Sequence, residues 1–184
     1  NSPRAYNAFT PIAVPPVTIS EFHLLEQQNP DKPALQSALS DFPFAAAKGT
    51  VVAKDKVMIG KVVNAAKHET MMQMNGLKFR KGLGVSDVSE ITYRLQGNWQ
   101  IFRADVGIDD ACRQNGGLQF QVYGDGKLLF DSGLIEAPAV VKPELDIRGI
   151  SKLSLRTTGV KAKAKAPVCA NWANATVIGF AGDT

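Results

Sequence analysis

The 184 residues are enough for one domain with its own core, and a hydrophobic content of 45% is ordinary for a globular protein. No apolar run approaches the roughly 18 residues of a membrane-spanning helix, so no membrane span is predicted. A net charge of +4 is modest, and it does not by itself indicate a nucleic-acid-binding protein.

Residues 1–33 differ from the rest of the chain in their proline content. Proline fixes φ and removes a backbone donor, so this segment is predicted to be an extended linker or a strap along the domain surface. A short helix capped by Ser20 is predicted at 20–28. Its apolar side chains need a surface to pack on, so partial docking is expected. The prolines are Pro3, Pro11, Pro15, Pro16, Pro30 and Pro33.

Residues 34–184 read as a single domain of short strands with no sustained helical period. Gly124-Asp125-Gly126 is a tight-turn signal between two strands, because glycine accepts positive φ. Because proline cannot donate a backbone hydrogen bond, the strand that contains Pro143 is predicted to lie at a sheet edge or to carry a bulge. Helical turns are predicted at 45–48 and 65–69. Together the segments favour an all-β fold, an antiparallel β-sandwich. The predicted strands are 71–79, 89–95, 99–108, 118–123, 127–130, 140–147, 152–157 and 175–180.

A basic segment, KAKAKAP, carries Lys161, Lys163 and Lys165. One interpretation is a patch for nucleic acid or an anionic glycan. The other is an ordinary solvated loop. The absence of aromatic residues between the lysines argues against a stacking platform for single strands, so nucleic acid is not predicted as a partner.

The chain has two cysteines, Cys112 and Cys169, and neither has a second cysteine or a histidine nearby in sequence. Zinc spacing is therefore absent. The alternatives are two independent buried thiols or a disulfide. The disulfide is favoured, because both cysteines fall in loop-like segments that a sandwich can bring together.

Catalytic motifs are missing. His23 and His68 have no recognisable nucleophile motif beside them, and neither G-x-S-x-G nor H-E-x-x-H occurs. A glycosidase-type pair of carboxylates needs only to meet in space, and nothing in the sequence singles one out. The chain is therefore not predicted to be an enzyme.

Several segments, in order and at matching spacing, resemble the NPCBM family, the CBM51-type carbohydrate-binding modules of secreted glycosidases. The resemblance covers about residues 39–180. Its main segments are LSD at 39–41, KGLG at 81–84, FRADVGID at 102–109, VYGDGKLL at 122–129, DIRG at 146–149 and NWANA at 171–175.

The resemblance implies a β-sandwich of jelly-roll type that binds carbohydrate without catalysis. It also implies a parent glycoside hydrolase or other polysaccharide-active protein, secreted, on the cell surface or periplasmic, and a galactose-type sugar. The chain departs from the family pattern at functional positions. Ser86 stands where many members carry histidine, and Val168-Cys169 stands in place of Asp-His. Asn171 and Asn174 replace aspartates.

Sugar sites pair an aromatic face with a few polar groups, which fix the directions of the hydroxyls. Trp99, at a strand start, is the candidate stacking platform; the alternative is a core or rim tryptophan. Trp172 is expected in the core.

Asp109 and Asp110 are candidate ligands for sugar hydroxyls or for a structural calcium ion, and the alternative is turn formation. Further candidate sugar ligands are Arg80, Arg113, Asn115 and Asn171.

Two functional hypotheses follow. The first is a non-catalytic carbohydrate-binding module that targets a larger protein to its glycan. The second is a structural or protein-interaction sandwich that kept the fold and lost the sugar site, since a shared fold does not by itself carry function.

Overall fold

The structure is a computed structural model that describes residues 34–49, 52–59, 62–63 and 71–180. The predicted strap at 1–33, the helix within it and the helical turn at 65–69 lie outside the described residues.

The described chain is built almost entirely of strands, with two 3-10 helices at Leu39–Asp41 and Asp110–Cys112. No helix in these ranges is long and apolar enough to cross a membrane. The strands are β1 Ala34–Ala38, β2 Ala46–Gly49, β3 Ala53–Lys54, β4 Met58–Ile59, β5 Val62–Val63, β6 Met72–Met74, β7 Leu77–Phe79, β8 Gly82–Ser86, β9 Ser89–Arg94, β10 Ile101–Ile108, β11 Gly116–Gly124, β12 Lys127–Glu136, β13 Val140–Val141, β14 Glu144–Asp146, β15 Lys152–Ala162 and β16 Cys169–Phe180.

Two antiparallel sheets form a sandwich, which confirms the predicted fold class. The first sheet has the order β13-β10-β16-β8-β3, with β1 added to β16 and β14 added to β10. The second sheet has the order β12-β11-β15-β9-β2. β4–β5 and β6–β7 form two small separate hairpins.

The core lies between the two sheets and follows from side-chain alternation along the strands. On β11, Leu118, Phe120 and Val122 are buried. The side chains between them face outward, because successive residues of a strand point to opposite faces. Phe120 of the second sheet meets Trp172 of the first edge to face, with ring centroids 5.2 Å apart. Trp172 is fully buried, as predicted.

Local predictions around turns had mixed outcomes. The Gly-Asp-Gly turn joins β11 to β12, with Asp125 and Gly126 at φ 48° and 82°. Residues 71–79, predicted as one strand, form the hairpin β6–β7, because Asn75 and Gly76 take φ 49° and 80° and reverse the chain.

Two other segments also differ from prediction. Residues 45–48 were predicted as a helical turn, but Ala46–Gly49 forms β2 and pairs with β9. The predicted strand at 140–147 is split into β13 and β14, which flank Pro143. Both pieces pair with β10, and β13 lies at the edge of the first sheet. The edge position agrees with a proline that cannot donate to a neighbouring strand.

Candidate functional site

The carboxylate of Asp109 is buried and bound by amide groups. It follows β10 and caps the Asp110–Cys112 helix by accepting from Ala111 N at 2.9 Å. It also accepts from Gln73 N at 2.9 Å and from Asn171 Nδ2 at 2.7 Å. Burial raises the pKa of Asp109 above its usual value, although the hydrogen bonds from these three groups act to lower it.

The carboxylate of Asp110 is also bound by amide groups. It accepts from Asn75 N at 2.9 Å, from Gly76 N at 3.0 Å and from Gln73 Nε2 at 3.1 Å. The two carboxylates therefore clamp the β6–β7 hairpin onto the end of β10, and turn formation is the interpretation that these contacts favour.

The groups around the two carboxylates do not fit a calcium site, because calcium takes six to eight oxygen ligands whereas the neighbours here are N–H donors. Within the described ranges, no group of three His, Cys, Asp or Glu side chains could hold a metal ion.

Asn171 and Asn115 also have structural contacts. Asn171 is fully buried, and its Nδ2 is the donor to Asp109, while its Oδ1 has no hydrogen-bond partner among the described groups. Asn115 donates from Nδ2 to Pro167 O at 2.9 Å, and its own carbonyl accepts from Lys163 N at 2.9 Å. Asn115 thus joins the loop after β10 to the loop between β15 and β16.

A disulfide connects the same two loops. Cys112 and Cys169 are bonded, with their Cα atoms 5.6 Å apart. Cys169 pairs with Ser86 between β16 and β8, and Val168 lies beside it. All four residues are buried. Three of the positions at which the chain departs from the family pattern, Ser86, Val168 and Cys169, therefore form one buried cluster, whereas Asn174 is exposed.

Among the predicted sugar ligands, Arg80 and Arg113 are exposed. Arg113 follows the 3-10 helix, and Arg80 follows β7. Both remain available to a ligand, in contrast to the aspartates beside them.

Trp99 is half-buried and lies far from this loop. Its ring packs at 5.9 Å from that of Phe42, and its edge covers Gly179 of β16. The eight residues of β10 separate it from Asp109, which at about 3.3 Å per residue is roughly 26 Å. Trp99 and the aspartates therefore cannot contribute to one small sugar site, and the structure favours the rim tryptophan.

A surface that the sequence analysis missed lies on the outer face of the second sheet. The strand registers place one row of polar side chains across all five strands. On β11, Gln119, Gln121 and Tyr123 are half-buried and alternate with fully buried residues, so their side chains lie on this outer face. The row consists of Asp131, Gln121, Arg156, Glu90 and Lys48.

Hydrogen bonds connect the centre of this row into a network. Gln119 and Gln121 each donate from Nε2 to the Asp131 carboxylate, at 2.7 Å and 3.0 Å. Tyr123 donates its hydroxyl to Gln121 Oε1 at 3.2 Å. Arg156 lies over the Tyr123 ring, 4.6 Å from its centroid.

Glu90 completes the network. Arg156 donates to Glu90 Oε2 from Nε at 2.8 Å and from a terminal nitrogen at 2.6 Å. We call Gln119, Gln121, Tyr123, Asp131, Arg156 and Glu90 the tyrosine face.

At the β9–β2 edge the tyrosine face runs into a depression of about 280 Å³, lined by Lys48, Gly49, Val88, Ser89, Glu90 and Arg156. The sequence did carry a signal for this surface, because 118–123 alternates apolar and polar residues and ends in an outward tyrosine.

A second depression, of about 200 Å³, lies on the first sheet and is lined by Gln36, Arg103, Ala104, Asp105, Asn174 and Thr176. Apart from Ala104, its lining side chains are polar, and none of them is aromatic. It therefore lacks the apolar face that a sugar ring packs on.

Comparison with known proteins gives a family match. The NPCBM/NEW2 domain model matches residues 36–178. A Renibacterium salmoninarum protein named endo-alpha-N-acetylgalactosaminidase is 28% identical over 105 residues, which cover 56% of this chain and 7% of that protein.

Solved structures share the fold. The CBM51-2 domain of Clostridium perfringens ZmpB, in complex with GlcNAc and solved with INT domains, has a TM-score of 0.67 and 23% identity, over 80% of this chain and 32% of that one. The CBM51 of C. perfringens GH95, in complex with methyl-galactose, has a TM-score of 0.62 and 23% identity, over 78% of this chain and 99% of that one.

The chain spans less than a tenth of the curated relative and about a third of the ZmpB structure. The family model, in contrast, covers most of the chain, from within β1 to within β16. The chain therefore belongs to the NPCBM/NEW2 domain family, a family of non-catalytic carbohydrate-binding modules.

Proposed function

We propose that this domain binds a glycan across the tyrosine face and so holds a larger polysaccharide-active protein on its substrate. The observation that carries the proposal is the hydrogen-bonded row of polar side chains around Tyr123 on the open face of the second sheet.

The chemistry of this face suits a sugar. The half-buried Tyr123 ring supplies the apolar surface that packs on the C–H face of a pyranose. The carboxylates of Asp131 and Glu90 accept hydroxyl hydrogen bonds, and Arg156 and Gln121 donate them. Because these side chains already hold one another, binding costs little further side-chain entropy.

The dimensions favour an oligosaccharide over a single sugar. The row crosses five strands, and neighbouring strands lie about 4.8 Å apart, so it is roughly 19 Å wide. An open face without a deep pocket implies weak single-site binding, of order micromolar to millimolar. A galactose-type sugar is the proposed ligand, in line with the methyl-galactose bound by the C. perfringens GH95 module.

The parent protein is proposed to be a secreted or cell-surface glycoside hydrolase or related enzyme, with a periplasmic location as the alternative. The Cys112–Cys169 disulfide supports an oxidising compartment, where such bonds persist. The module would act by proximity, since tethering raises the local concentration of the substrate.

The second candidate function is a protein-interaction sandwich without a sugar site. The buried cluster of Ser86, Val168 and Cys169 favours it, because these positions offer no exposed polar group to a ligand.

The test is a glycan-array screen of the purified domain, with Tyr123→Ala as the site variant and Trp99→Phe, whose ring packs on β16 of the first sheet, as the aromatic control. We expect galactose-containing oligosaccharides to bind the wild type and Trp99→Phe, and Tyr123→Ala to lose at least about tenfold, within the cost of a central aromatic contact. Far-UV circular dichroism checks that each variant is folded.

Repeating the screen with calcium and with EDTA tests for an ion. Because amide donors surround Asp109 and Asp110, we expect equal binding in both. Binding that survives Tyr123→Ala and disappears in Trp99→Phe would move the site to the surface around Trp99. No binding to any glycan would favour the interaction domain.

A further inference from the structure

We propose that two basic loops at the disulfide end of the sandwich select an acidic glycan, one that carries sulfate or carboxylate groups. We call Arg113, Lys161, Lys163 and Lys165 the basic loops. This inference rests on the proposed function, because it names the class of glycan that the tyrosine face would hold.

The two loops are fixed to each other at three points. The Cys112–Cys169 disulfide joins their bases. Asn115 Nδ2 donates to Pro167 O at 2.9 Å, and Lys163 N donates to Asn115 O at 2.9 Å. The lysine segment, which in sequence resembles an ordinary solvated loop, is therefore held beside Arg113.

The positive charge of this region is only partly neutralised. Lys163 Nζ pairs with Glu136 Oε1 at 3.0 Å. Lys161, Lys165 and Arg113 are exposed.

Two carboxylates that lie close in sequence do not neutralise this charge by direct pairing. The oxygens of Asp109 and Asp110 accept from backbone amides of the β6–β7 hairpin. Lys163 is hydrogen-bonded to Asn115, two residues after Arg113, so the cations belong to one region of the surface, and charges within the screening length of about 8 Å at physiological salt reinforce one another. Their fields therefore add.

The position of the basic loops links them to the tyrosine face. Arg156 and Lys161 belong to the same strand, β15, and are five positions apart, or roughly 17 Å between their Cα atoms. A glycan that lies on the row and also extends from Arg156 along β15 would therefore reach the lysines. Sulfate or carboxylate groups at that end would meet cations, whereas neutral sugars would gain nothing there.

The test compares a neutral galactan with a sulfated galactan of similar chain length, by titration calorimetry at low and high salt. The variant is Lys161→Ser/Lys165→Ser. The matched control is Lys127→Ser/Lys142→Ser, which removes the same charge from exposed positions outside the basic loops.

We expect the wild type to prefer the sulfated polymer at low salt and to lose this preference at high salt. Lys161→Ser/Lys165→Ser should bind the sulfated polymer about fivefold more weakly at low salt and leave the neutral polymer unaffected. The control should match the wild type with both polymers.

Three results would overturn the inference. The first is equal affinity for the two polymers at low salt. The second is an equal loss in the variant and the control, which would indicate net charge alone. The third is equally tight, lysine-dependent binding of single-stranded DNA, which would indicate a general polyanion surface. If the neutral galactan still binds in any of these cases, the proposed function is not contradicted. If Tyr123→Ala loses binding to both polymers, the two polymers share one site.

Discussion

Ser86 and Cys169 face each other across the β8–β16 pair, and both side chains are fully buried. These are two of the positions at which the chain departs from the family pattern, and these two departures are neighbours in space. The bond from Cys169 to Cys112 gives the altered pair a structural role. A ligand site that needs polar groups at these positions is absent from this end of the domain.

The disulfide should contribute strongly to stability and little to glycan binding. It closes a loop with a sequence separation of 57 residues, and such bridges stabilise by about 2–5 kcal/mol, largely by constraining the unfolded chain. We expect Cys112→Ala/Cys169→Ala to lose that amount in urea denaturation. Its neutral-glycan affinity should equal that of the wild type, because the tyrosine face lies on another strand set.

An unchanged unfolding free energy in the double alanine variant would contradict this assignment. The same measurement on the wild type with a reducing agent is the natural control, since the chain has no other cysteine.

Asp109→Asn should destabilise the fold. The substitution keeps the size of the side chain but replaces one acceptor oxygen by an NH₂ group. That group would face the donors Gln73 N and Asn171 Nδ2 or Ala111 N. Leaving a buried donor unsatisfied costs about 1–3 kcal/mol. Thermal unfolding followed by circular dichroism measures the loss, and Asp110→Asn, less buried, should lose less.

The difference in unfolding free energy between the wild type and Asp109→Asn should depend on pH with a definite sign. Burial raises the pKa of Asp109 in the folded state, so in the window between its unfolded and folded pKa values the folded protein binds more protons. Stability from this residue is therefore present at low pH and lost as pH rises through the folded pKa. We expect the unfolding free energy of the wild type, minus that of Asp109→Asn, to decrease from about pH 4 upward.

A difference that grows as the pH rises would mean that the three hydrogen bonds outweigh burial and that the folded pKa is lowered. Denaturant titrations at matched ionic strength from pH 4 to pH 7 separate the two cases.

Replacing glycine by alanine should reduce the stability of the fold by very different amounts at Gly84 and at Gly76. A Cβ at Gly84 would lie 2.1 Å from the carbonyl oxygen of Lys56, which is backbone and cannot swing away. We expect Gly84→Ala to lose more than about 3 kcal/mol or to fail to fold. A Cβ at Gly76 meets nothing within 4 Å, and only its positive φ is unfavourable, so Gly76→Ala should lose about 1 kcal/mol. Similar losses at the two sites would contradict the close approach of β8 to the chain at Lys56.

Local patterns predicted much of the fold. Alternation along β9, β10 and β11, together with the Gly-Asp-Gly turn, indicates an antiparallel sandwich without further information. The Asn75-Gly76 dipeptide carried a hairpin signal of the same kind, and the long predicted strand at 71–79 was wrong because that signal was not used.

The candidate site was harder to predict because its chemistry depends on contacts between distant residues. Two adjacent aspartates resemble cation ligands in sequence. Only the folded structure shows that they accept hydrogen bonds from the backbone amides of Gln73 and Asn75, which lie more than 30 positions earlier in the chain. The tyrosine face likewise depends on strand order, which places Glu90 of β9 beside Arg156 of β15.

The pairing of β1 with β16 also has a mechanical consequence. Ala34 lies opposite Phe180, so the described chain enters and leaves at one corner of the first sheet. Tension applied between these two ends would peel β1 from β16 one hydrogen bond at a time. Tension between Phe180 and a glycan held on the second sheet would instead pull the two sheets apart, so the packing of the whole core between them would oppose it. The domain should therefore resist drag on a bound polymer better than it resists being stretched from end to end.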